Sequence, residues 1–509
     1  MSIRALAALV VLATACGHTR WWPRSEEPCG FADMVGGHVE PGAVSVVVAA
    51  KKKAWEAALG GEEAAKPSIR ARLAAWPARA LVDRAELPAD DRAFVARLAR
   101  DTWRGLDAFI DREHHLPIDH VRFGPTVARA EARVGDYTNI TSVGVQLLAI
   151  TAASELGLVD PAGAAARIGA VLDTLDRLET HGGFFFNYYD TTSLERTSNL
   201  ISFVDSSWLT AGLMVARATF PALAERCTRL IDRQDYRFFY DEPLALMSHG
   251  YWVHLGARSR YHYGVLYAES RLGSLIAIGK GDVPEAHWFA MARTFPAACG
   301  WQPRTPHGRT RKRVRGHPVV GGWYEWNGVR YVPSWGGSMF EALMPTLVVD
   351  ETRWAPASLG ANGAAHARVQ ARWATEELGY PVWGMSPSAM PATDGYGEYG
   401  VPVLGSLGYR GGAVTPHAAA LALAVTPAAA VADLRALATR YDVYGDYGFY
   451  DAVDPRNGDV ARAYLALDQA MILVAAANHL ADGCIQRRFA SDPIAAHALA
   501  ILGDERFFD

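Results

Sequence analysis

The residues in this sequence that could do chemistry are acidic residues set among aromatic and glycine residues. Cleavage of a glycosidic bond needs a protonated acid at the leaving oxygen and a second carboxylate acting as base or nucleophile. Neighbouring aromatic side chains would stack on sugar rings. The pattern therefore indicates glycoside chemistry, and the acids concerned are Asp190, Asp205, Glu269, Glu341, Asp394, Glu398 and Asp451.

Ordinary structural roles compete with this interpretation. An acid at the start of a helix is often a cap, as we expect for Asp160, and an acid within an apolar helix often pairs with a nearby arginine. Glu269 could form such a pair with Arg271. The sequence lacks the GxSxG, P-loop, GxGxxG and HExxH motifs, which argues against serine hydrolases, nucleotide enzymes and zincins. No Cys/His spacing typical of a metal site occurs, so we expect no metal and no cofactor.

Composition supports a neutral or small ligand. The 509 residues include 50 Lys+Arg and 54 Asp+Glu, and the formal net charge is −4. This balance gives no electrostatic reason to expect a nucleic-acid partner or an anionic membrane. The 15 Trp, 20 Tyr and 18 Phe suit a sugar-binding cleft.

The first residues predict export. Arg4 precedes an apolar run over residues 5–15, and Cys16-Gly17 follow it. Together these residues are typical of a short export signal, and the apolar run is too short to span a bilayer. Residues 12–16 resemble the bacterial lipobox, so we expect lipidation at Cys16 and anchoring at the outer membrane, with simple secretion as the alternative. The remaining cysteines permit disulfides whose pairing stays open; they are Cys29, Cys227, Cys299 and Cys484.

Helices must position most of these side chains. Asp160-Pro161 is a helix-start signal, and Ile168, Val171 and Leu172 follow at helical spacing until Gly182 ends the pattern. Similar stretches occur at 143–156, 206–218, 265–278, 417–425, 428–441 and 462–480. Loops rich in Gly, Pro and aromatic residues lie between them, and Asn327-Gly328 predicts a small β-hairpin over residues 323–332. The predicted domains are a signal and lipobox (1–16), a tether (17–65), a catalytic domain (66–490) and a C-terminal tail (491–509).

Several segments in one order resemble the bacterial glycoamylase-like domain over about residues 135–485. They are residues 137–140, 186–192, 203–209, 269–272, 277–288, 335–345, 383–389, 414–417, 447–451 and 466–471. Related groups are glycoside hydrolase family 144, inverting endo-β-1,2-glucanases, and the family 189 domain of cyclic β-1,2-glucan synthases, which acts with retention. The resemblance implies an all-α fold, an (α/α)6 barrel with long loops.

The resemblance also implies roles for individual residues. Both groups place a catalytic glutamate at the position of Glu269, which acts as general acid in the hydrolases. The synthase motif has a second catalytic Glu where this chain has Pro387. Unless Asp394 or Glu398 substitutes, a retaining mechanism lacks its partner, so we favour inversion with Asp205 as the base.

The sequence therefore predicts an exported hydrolase of β-glucan, most specifically β-1,2-glucan. We expect Arg271, His287 and His417 to bond sugar hydroxyls, and the other acids to line the cleft. The predicted stacking residues are Trp208, Tyr267, Trp335, Trp383 and Tyr447. The expected partner is an oligo- or polysaccharide, and the oligomeric state stays open. Two alternatives remain: a retaining transglycosylase or cyclase, and a non-catalytic glucan-binding lipoprotein.

Overall fold

The structure is a computed structural model that describes residues 69–393, 395–406 and 409–509. The predictions for Cys16, Cys29, Asp394, the export signal and the tether lie outside these residues. Within them, no helix has both the length and the apolar character required for a membrane span.

The described part of the chain is largely helical. Its α-helices are α1 Ile69–Arg72, α2 Asp91–Ala108, α3 Ile140–Glu155, α4 Pro161–Leu175, α5 Phe203–Thr219, α6 Ala224–Asp232, α7 Arg271–Gly279, α8 Ala286–Ala290, α9 Met339–Leu343, α10 Glu351–Trp354, α11 Leu359–Glu376, α12 Pro416–Leu421, α13 Pro427–Arg440, α14 Ala466–Leu480, α15 Cys484–Ala490 and α16 Pro493–Leu499.

The strands are short and every pair between them is antiparallel. They are β1 His120–Arg122, β2 Arg133–Gly135, β3 Tyr137–Asn139, β4 Thr180–His181, β5 Phe184–Phe185, β6 Tyr188–Asp190, β7 Leu200–Ser202, β8 Tyr240–Asp241, β9 Leu246–Ser248, β10 Gly250–Trp252, β11 Ala257–Arg258, β12 His262–Tyr263, β13 Arg311–Val314, β14 His317–Val320, β15 Tyr324–Trp326, β16 Val329–Tyr331, β17 Ser388–Ala389, β18 Tyr396–Gly397, β19 Tyr444–Gly445, β20 Gly448–Phe449, β21 Ala452–Val453, β22 Val460–Ala461 and β23 Ala463–Leu465.

Helix α4 shows how local sequence sets an element. The Asp160 carboxylate accepts the Gly163 N–H at 2.9 Å, and Pro161 occupies the first helical position, where no N–H is needed. The predicted apolar positions are buried. The helix ends at Leu175, earlier than the predicted stop at Gly182, because residues 180–185 pair as strands β4 and β5.

Helix α3 lies at the centre of the packing. It packs against α5 and α14, and residues 140–153 are all buried. The amphipathic pattern expected there is therefore absent, since the helix has neighbours on several sides. At the crossing with α5 a Cβ on Gly144 would lie 2.4 Å from the Trp208 carbonyl oxygen, and one on Gly212 would lie 2.3 Å from that of Gly144. Only glycine allows this close approach.

Other helices continue the same arrangement. Helix α5 packs against α7, and α9 packs against α12. Helix α12 packs against α14, and α14 also contacts α2. Strands β3, β7 and β23 lead directly into α3, α5 and α14, so each of these helices begins where a strand ends. β3 pairs with β6, β7 with β10, and β23 with β1.

The predicted hairpin segment contains strands β15 and β16, which pair across Asn327 and Gly328. These two residues have φ values of 46° and 78°, in the left-handed region that the favoured two-residue turn requires. Tyr324 pairs with Tyr331, and both rings are buried.

The C-terminal residues 491–509, predicted as a tail, pack against the rest of the chain. Helix α16 contacts α7, and the Phe507 N–H donates to the Ala357 carbonyl at 3.1 Å. The buried Arg293 forms an ion pair with Glu505 at 2.7 Å.

Cys227 and Cys484 are free, buried thiols, and burial raises the pKa of each to about 11.

Candidate active site

The acidic residues gather where the central helices begin. Asp205 lies in the first turn of α5, Glu341 in that of α9 and Asp468 in that of α14, while Glu269 stands just before α7. The first turn of a helix has N–H groups without intrahelical partners and a partial positive charge, both of which favour carboxylates. The fold therefore provides a polar end at which several carboxyl groups meet.

Tyrosines connect the acidic residues electrostatically. Tyr409 lies within reach of Glu341, Glu398 and Glu269, and it also neighbours Tyr396. Tyr396 is 55% exposed, and it lies close enough to Asp468, Asp451 and Asp119 to interact with them electrostatically. These two tyrosines therefore join the acids near α7 and α9 to those near α14.

Asp205 is half-buried and held by one hydroxyl. The Thr141 Oγ1 hydroxyl donates to its Oδ1 at 2.7 Å. Burial raises the pKa of the neighbouring Tyr188, and the charge of Asp205 adds to this effect. Burial lowers the pKa of His249, and the same carboxylate opposes that change. Asp205 thus keeps a partly accessible carboxylate beside polar neighbours, as a base would require.

Glu269 is 5% exposed, and Arg271, which the sequence allowed as its partner, is engaged by another carboxylate. Arg271 is fully buried and pairs with Glu351 at 2.7 Å. Its other N–H groups donate to the carbonyls of Ala268, Glu341 and Ala342. Arg271 ties α7 to α9 and α10, so the prediction that it bonds sugar hydroxyls is not supported.

Four of the five predicted stacking residues lie in the core. Trp208 is 1% exposed and Tyr267 0%, the latter beneath the Arg271 guanidinium at 4.5 Å. Tyr447 packs edge-on against Phe109 at 5.5 Å, on the α2 side. Trp383 is 9% exposed. These rings have little or no free face for a sugar, because packing between helices covers them.

Trp335 is the member of that set with a partly open ring. It is half-buried and meets Trp301 edge-on at a centroid distance of 5.2 Å. It directly precedes the Gly336-Gly337 turn that leads into α9, close to Glu341. Its position is compatible with the predicted stacking role.

Two predicted sugar ligands cap the backbone instead. Glu341 is fully buried, accepts the Gly336 N–H at 2.8 Å and forms a capping box with Ser338. Burial raises its pKa to about 7, opposed by these hydrogen bonds. Asp190 accepts the N–H groups of Thr192 and Ser193, each at 2.8 Å. Glu398 is half-buried near Tyr409.

The predicted histidines are buried and neutral. His287 contacts the Ala245 carbonyl through Nδ1 and the Ser274 hydroxyl through Nε2, both at 2.8 Å, and burial lowers its pKa to about 4. Burial lowers the pKa of His417 to about 3. His287 is engaged by protein groups on both ring nitrogens, so it has no nitrogen left for a sugar.

His417 lies in a buried cluster with Asp451 and Asp468. The Ala389 N–H donates to Asp451 Oδ2 at 2.6 Å, and His417 Nδ1 lies 3.5 Å from Asp468 Oδ2. Burial raises the pKa of Asp451 to about 6. Asp468 lies in the last of the segments that carry the resemblance, but it was not among the predicted site residues.

A polar group at the start of β1 was not predicted from the sequence. Asp119 Oδ2 lies 2.8 Å from His120 Nδ1, and the Tyr137 phenol hydrogen-bonds Asp119. Asn139 joins the group through a bond to Tyr188 and another to Asn187 at 3.0 Å. Asp119 and His120 lie in none of the segments that carry the resemblance, so local sequence carried no signal for them.

Comparison with known proteins supports the predicted resemblance. Residues 318–493 match the glycoamylase family model, described as putative glucoamylase. Over 299 residues, 56% of this chain, the sequence is 31% identical to the cyclic beta-(1,2)-glucan synthase NdvB of Rhizobium meliloti (strain 1021). That match spans 9% of the relative's length. The resemblance to the glycoamylase-like domain is confirmed.

Solved structures share the fold. The endo-beta-1,2-glucanase from Chitinophaga pinensis, in complex with sophorotriose and glucose, has a TM-score of 0.62 and 16% identity, covering 82% of this chain and 99% of that one. The beta-1,2-glucanase from Parabacteroides distasonis has a TM-score of 0.66 and 16% identity, covering 82% of this chain and 61% of that one. At such identities the likeness is one of fold.

Proposed function

We propose that this chain is an exported glycoside hydrolase that cleaves a β-glucan, specifically β-1,2-glucan, with inversion at the anomeric carbon. The observation that carries the proposal is the placement of Glu269 and Asp205 at the starts of neighbouring helices, with Arg271 committed to Glu351. The names of the relatives supply the substrate: a cyclic β-1,2-glucan synthase and two β-1,2-glucanases.

Glu269 would act as the general acid. It must hold a proton next to the glycosidic oxygen until the bond breaks. Its burial removes water that would favour the ionised carboxylate, and the neighbouring Arg271 is paired with Glu351. These conditions suit an acid more than a permanently charged nucleophile.

Asp205 would act as the base, directly or through a relay. Its Oδ1 accepts the Thr141 hydroxyl, which fixes the carboxylate, and its half-burial leaves access for a water. An inverting pair of carboxyls stands about 6.5–9.5 Å apart, whereas a retaining pair stands about 5–5.5 Å apart. Inversion fits Pro387, which cannot replace the second catalytic Glu of the synthases.

The same proposal includes an (α/α)6 arrangement. The inner helices would be α3, α5, α7, α9, α12 and α14, and the outer ones α2, α4, α6, α8, α11 and α13. The packing of α3 on both α5 and α14 supports closure between early and late helices. The bonds from Arg271 to the carbonyls of Glu341 and Ala342 support the link between α7 and α9. Each outer helix contacts one inner helix, as such a double ring requires.

Linear β-1,2-glucan is the substrate that tests the function. Purified protein would be incubated with it, and products and their first-formed anomer followed by NMR. Glu269→Gln should lower turnover by about 10²–10⁴-fold, and Asp205→Asn should also lower it strongly. Glu377→Gln, at an exposed residue, is the matched control and should retain full turnover.

The anomer decides the mechanism. Release of α-anomeric ends that disappears in Glu269→Gln would establish inversion with Glu269 as the acid. Near wild-type turnover in Asp205→Asn, beside loss in Glu269→Gln, would remove Asp205 as the base. Binding without product would favour a glucan-binding lipoprotein.

A retaining transglycosylase or cyclase is the second candidate. It is favoured by the 31% identity to a cyclic glucan synthase and by Glu398, which lies with Glu269 around Tyr409 and would substitute for the acid missing at Pro387. Retained β-anomeric products or closed rings, lost in Glu398→Gln, would support it.

Export and the lipid anchor at Cys16 belong to the same proposal. They rest on the apolar run and lipobox-like residues before Cys16. Labelling with a fatty acid, followed by membrane fractionation, tests the anchor. Fatty-acid label on the wild-type protein and none on Cys16→Ser would support lipidation. Release of unlabelled protein into the medium by cells making either form would support simple secretion.

A further inference from the structure

We propose that His417, Asp451 and Asp468 form a binding site for a divalent transition-metal ion, with zinc as the best-matched ion. The three side chains come from the start of α12, the residue before β21 and the start of α14. They offer one ligand atom each, and these atoms lie within 4.8 Å of one another. The site is separate from the roles given above to Glu269 and Asp205.

The three side chains have acceptor atoms that the protein does not use. They are 1%, 1% and 2% exposed. When both carboxyls are ionised, no donor among the described residues reaches His417 Nδ1, Asp451 Oδ1 or Asp468 Oδ2. The side chains of Asp451 and Asp468 lie within hydrogen-bond reach of each other, so a proton shared between them is the alternative to a cation. Buried polar atoms without partners are costly, and three that converge on one point indicate that something fills the space between them.

Distances and orientation fit a shared ion. His417 Nδ1 and Asp468 Oδ2 are 3.5 Å apart, which is long for a hydrogen bond. Two ligands of a tetrahedral zinc with bonds of about 2.0–2.1 Å stand about 3.3–3.4 Å apart. The atoms of His417 and Asp451 that would not bind the ion contact protein groups. Thr415 Oγ1 lies 3.4 Å from His417 Nε2, and the Ala389 N–H donates to Asp451 Oδ2. Such outer contacts orient metal ligands.

Charge and ligand chemistry select the ion. The charges of Arg122 and His120 act on Asp451, but two carboxyl groups still face each other in the interior. A divalent ion would neutralise both. One imidazole nitrogen with two carboxylate oxygens suits zinc better than calcium or magnesium, which prefer oxygen alone. Since the ligands come from three elements, the ion would cross-link them.

Metal content and thermal unfolding test this proposal without an activity assay. Full-length protein would be dialysed with ZnCl2, freed of unbound metal and analysed by mass spectrometry, and apo-protein from chelator treatment would be titrated with Zn²⁺, Mn²⁺ and Ca²⁺. We expect one zinc per chain and a higher Tm with Zn²⁺ than with Ca²⁺. Asp468→Asn should lose both effects. Asp433→Asn, at another buried carboxyl outside the cluster, should keep them.

Cobalt provides a second measurement in the wild-type protein if Asp468→Asn does not fold. Co²⁺ added to apo-protein should give the visible absorption of a tetrahedral site, and Zn²⁺ should displace it. No bound zinc and no cobalt spectrum would overturn the proposal and leave a proton shared between the two carboxyls as the explanation. Equal zinc binding by wild type and Asp468→Asn would also overturn it.

Discussion

Replacing Arg271 by methionine separates a structural role from a sugar-binding role. The guanidinium and the Glu351 carboxylate are 0% and 2% exposed and lie 2.7 Å apart. Removing one partner of a buried ion pair leaves an uncompensated charge and costs about 3–5 kcal/mol. Arg271→Met also leaves three carbonyls without a donor. We therefore expect the free energy of unfolding to fall by at least about 3 kcal/mol.

The partner substitution shows whether the loss comes from the orphaned charge. Because replacing both members of a buried pair by apolar residues is often neutral, Arg271→Met with Glu351→Met should recover about 2 kcal/mol or more over Arg271→Met alone. Arg330→Met is the exposed control, since Arg330 lies 3.8 Å from Glu325 and is 51% exposed; it should cost at most about 1 kcal/mol.

Urea unfolding gives the free energy of unfolding of the wild type, Arg271→Met, the double variant and Arg330→Met. KM for β-1,2-glucan is measured for each protein at a temperature well below its Tm. The structural role predicts a lower midpoint with an unchanged KM. A loss below about 1 kcal/mol together with a raised KM for Arg271→Met would refute this reasoning and return Arg271 to the substrate.

Two further predictions concern pH and helix packing. Burial lowers the pKa of His287 to about 4, so the unfolded chain binds a proton more readily than the folded chain. Stability should therefore fall by about 3 kcal/mol as pH drops from about 6.5 to about 4, and urea unfolding of His287→Asn should lack that component. A slope equal in both proteins would contradict it. Gly144→Ala should cost about 1–3 kcal/mol in thermal or urea unfolding, because its Cβ would lie 2.4 Å from the Trp208 carbonyl oxygen. Gly169→Ala, whose Cβ would have its nearest neighbour at 3.9 Å, should be neutral or slightly stabilising; similar losses in both variants would rule out the close approach as the cause.

Local signals in the sequence predicted elements well where the cause is local. Asp160 and Pro161 mark the start of α4 through a cap and a fixed φ, and Asn327-Gly328 sits at the turn between β15 and β16 because both residues adopt positive φ. The end of α4 was missed because it depends on the pairing of β4 with β5, which helical periodicity does not report.

The site was predicted less completely, because exposure depends on packing between distant elements. Trp208 follows Asp205 by less than one helical turn, yet the tryptophan is buried while Asp205 stays half-exposed. Asp119 reaches the polar group through its N–H, which donates to the Tyr137 carbonyl at 2.8 Å, and β1 is held by pairing with β23, far away in the chain. The acidic residues were identified by type, but their division into caps, core groups and accessible carboxyls needed the fold.

The ion pair between Arg293 and Glu505 has a consequence for synthesis of the protein. Its partners are 212 residues apart. At a synthesis rate of about 5–20 residues per second, the arginine emerges roughly 10–40 s before its carboxylate partner exists. During that interval the surface of α7 that α16 later covers also lacks its neighbour. A nascent chain of this protein therefore has to keep the Arg293 side chain and an apolar face of α7 hydrated until Glu505 and α16 have been synthesised, and chaperone binding would be most useful in that interval.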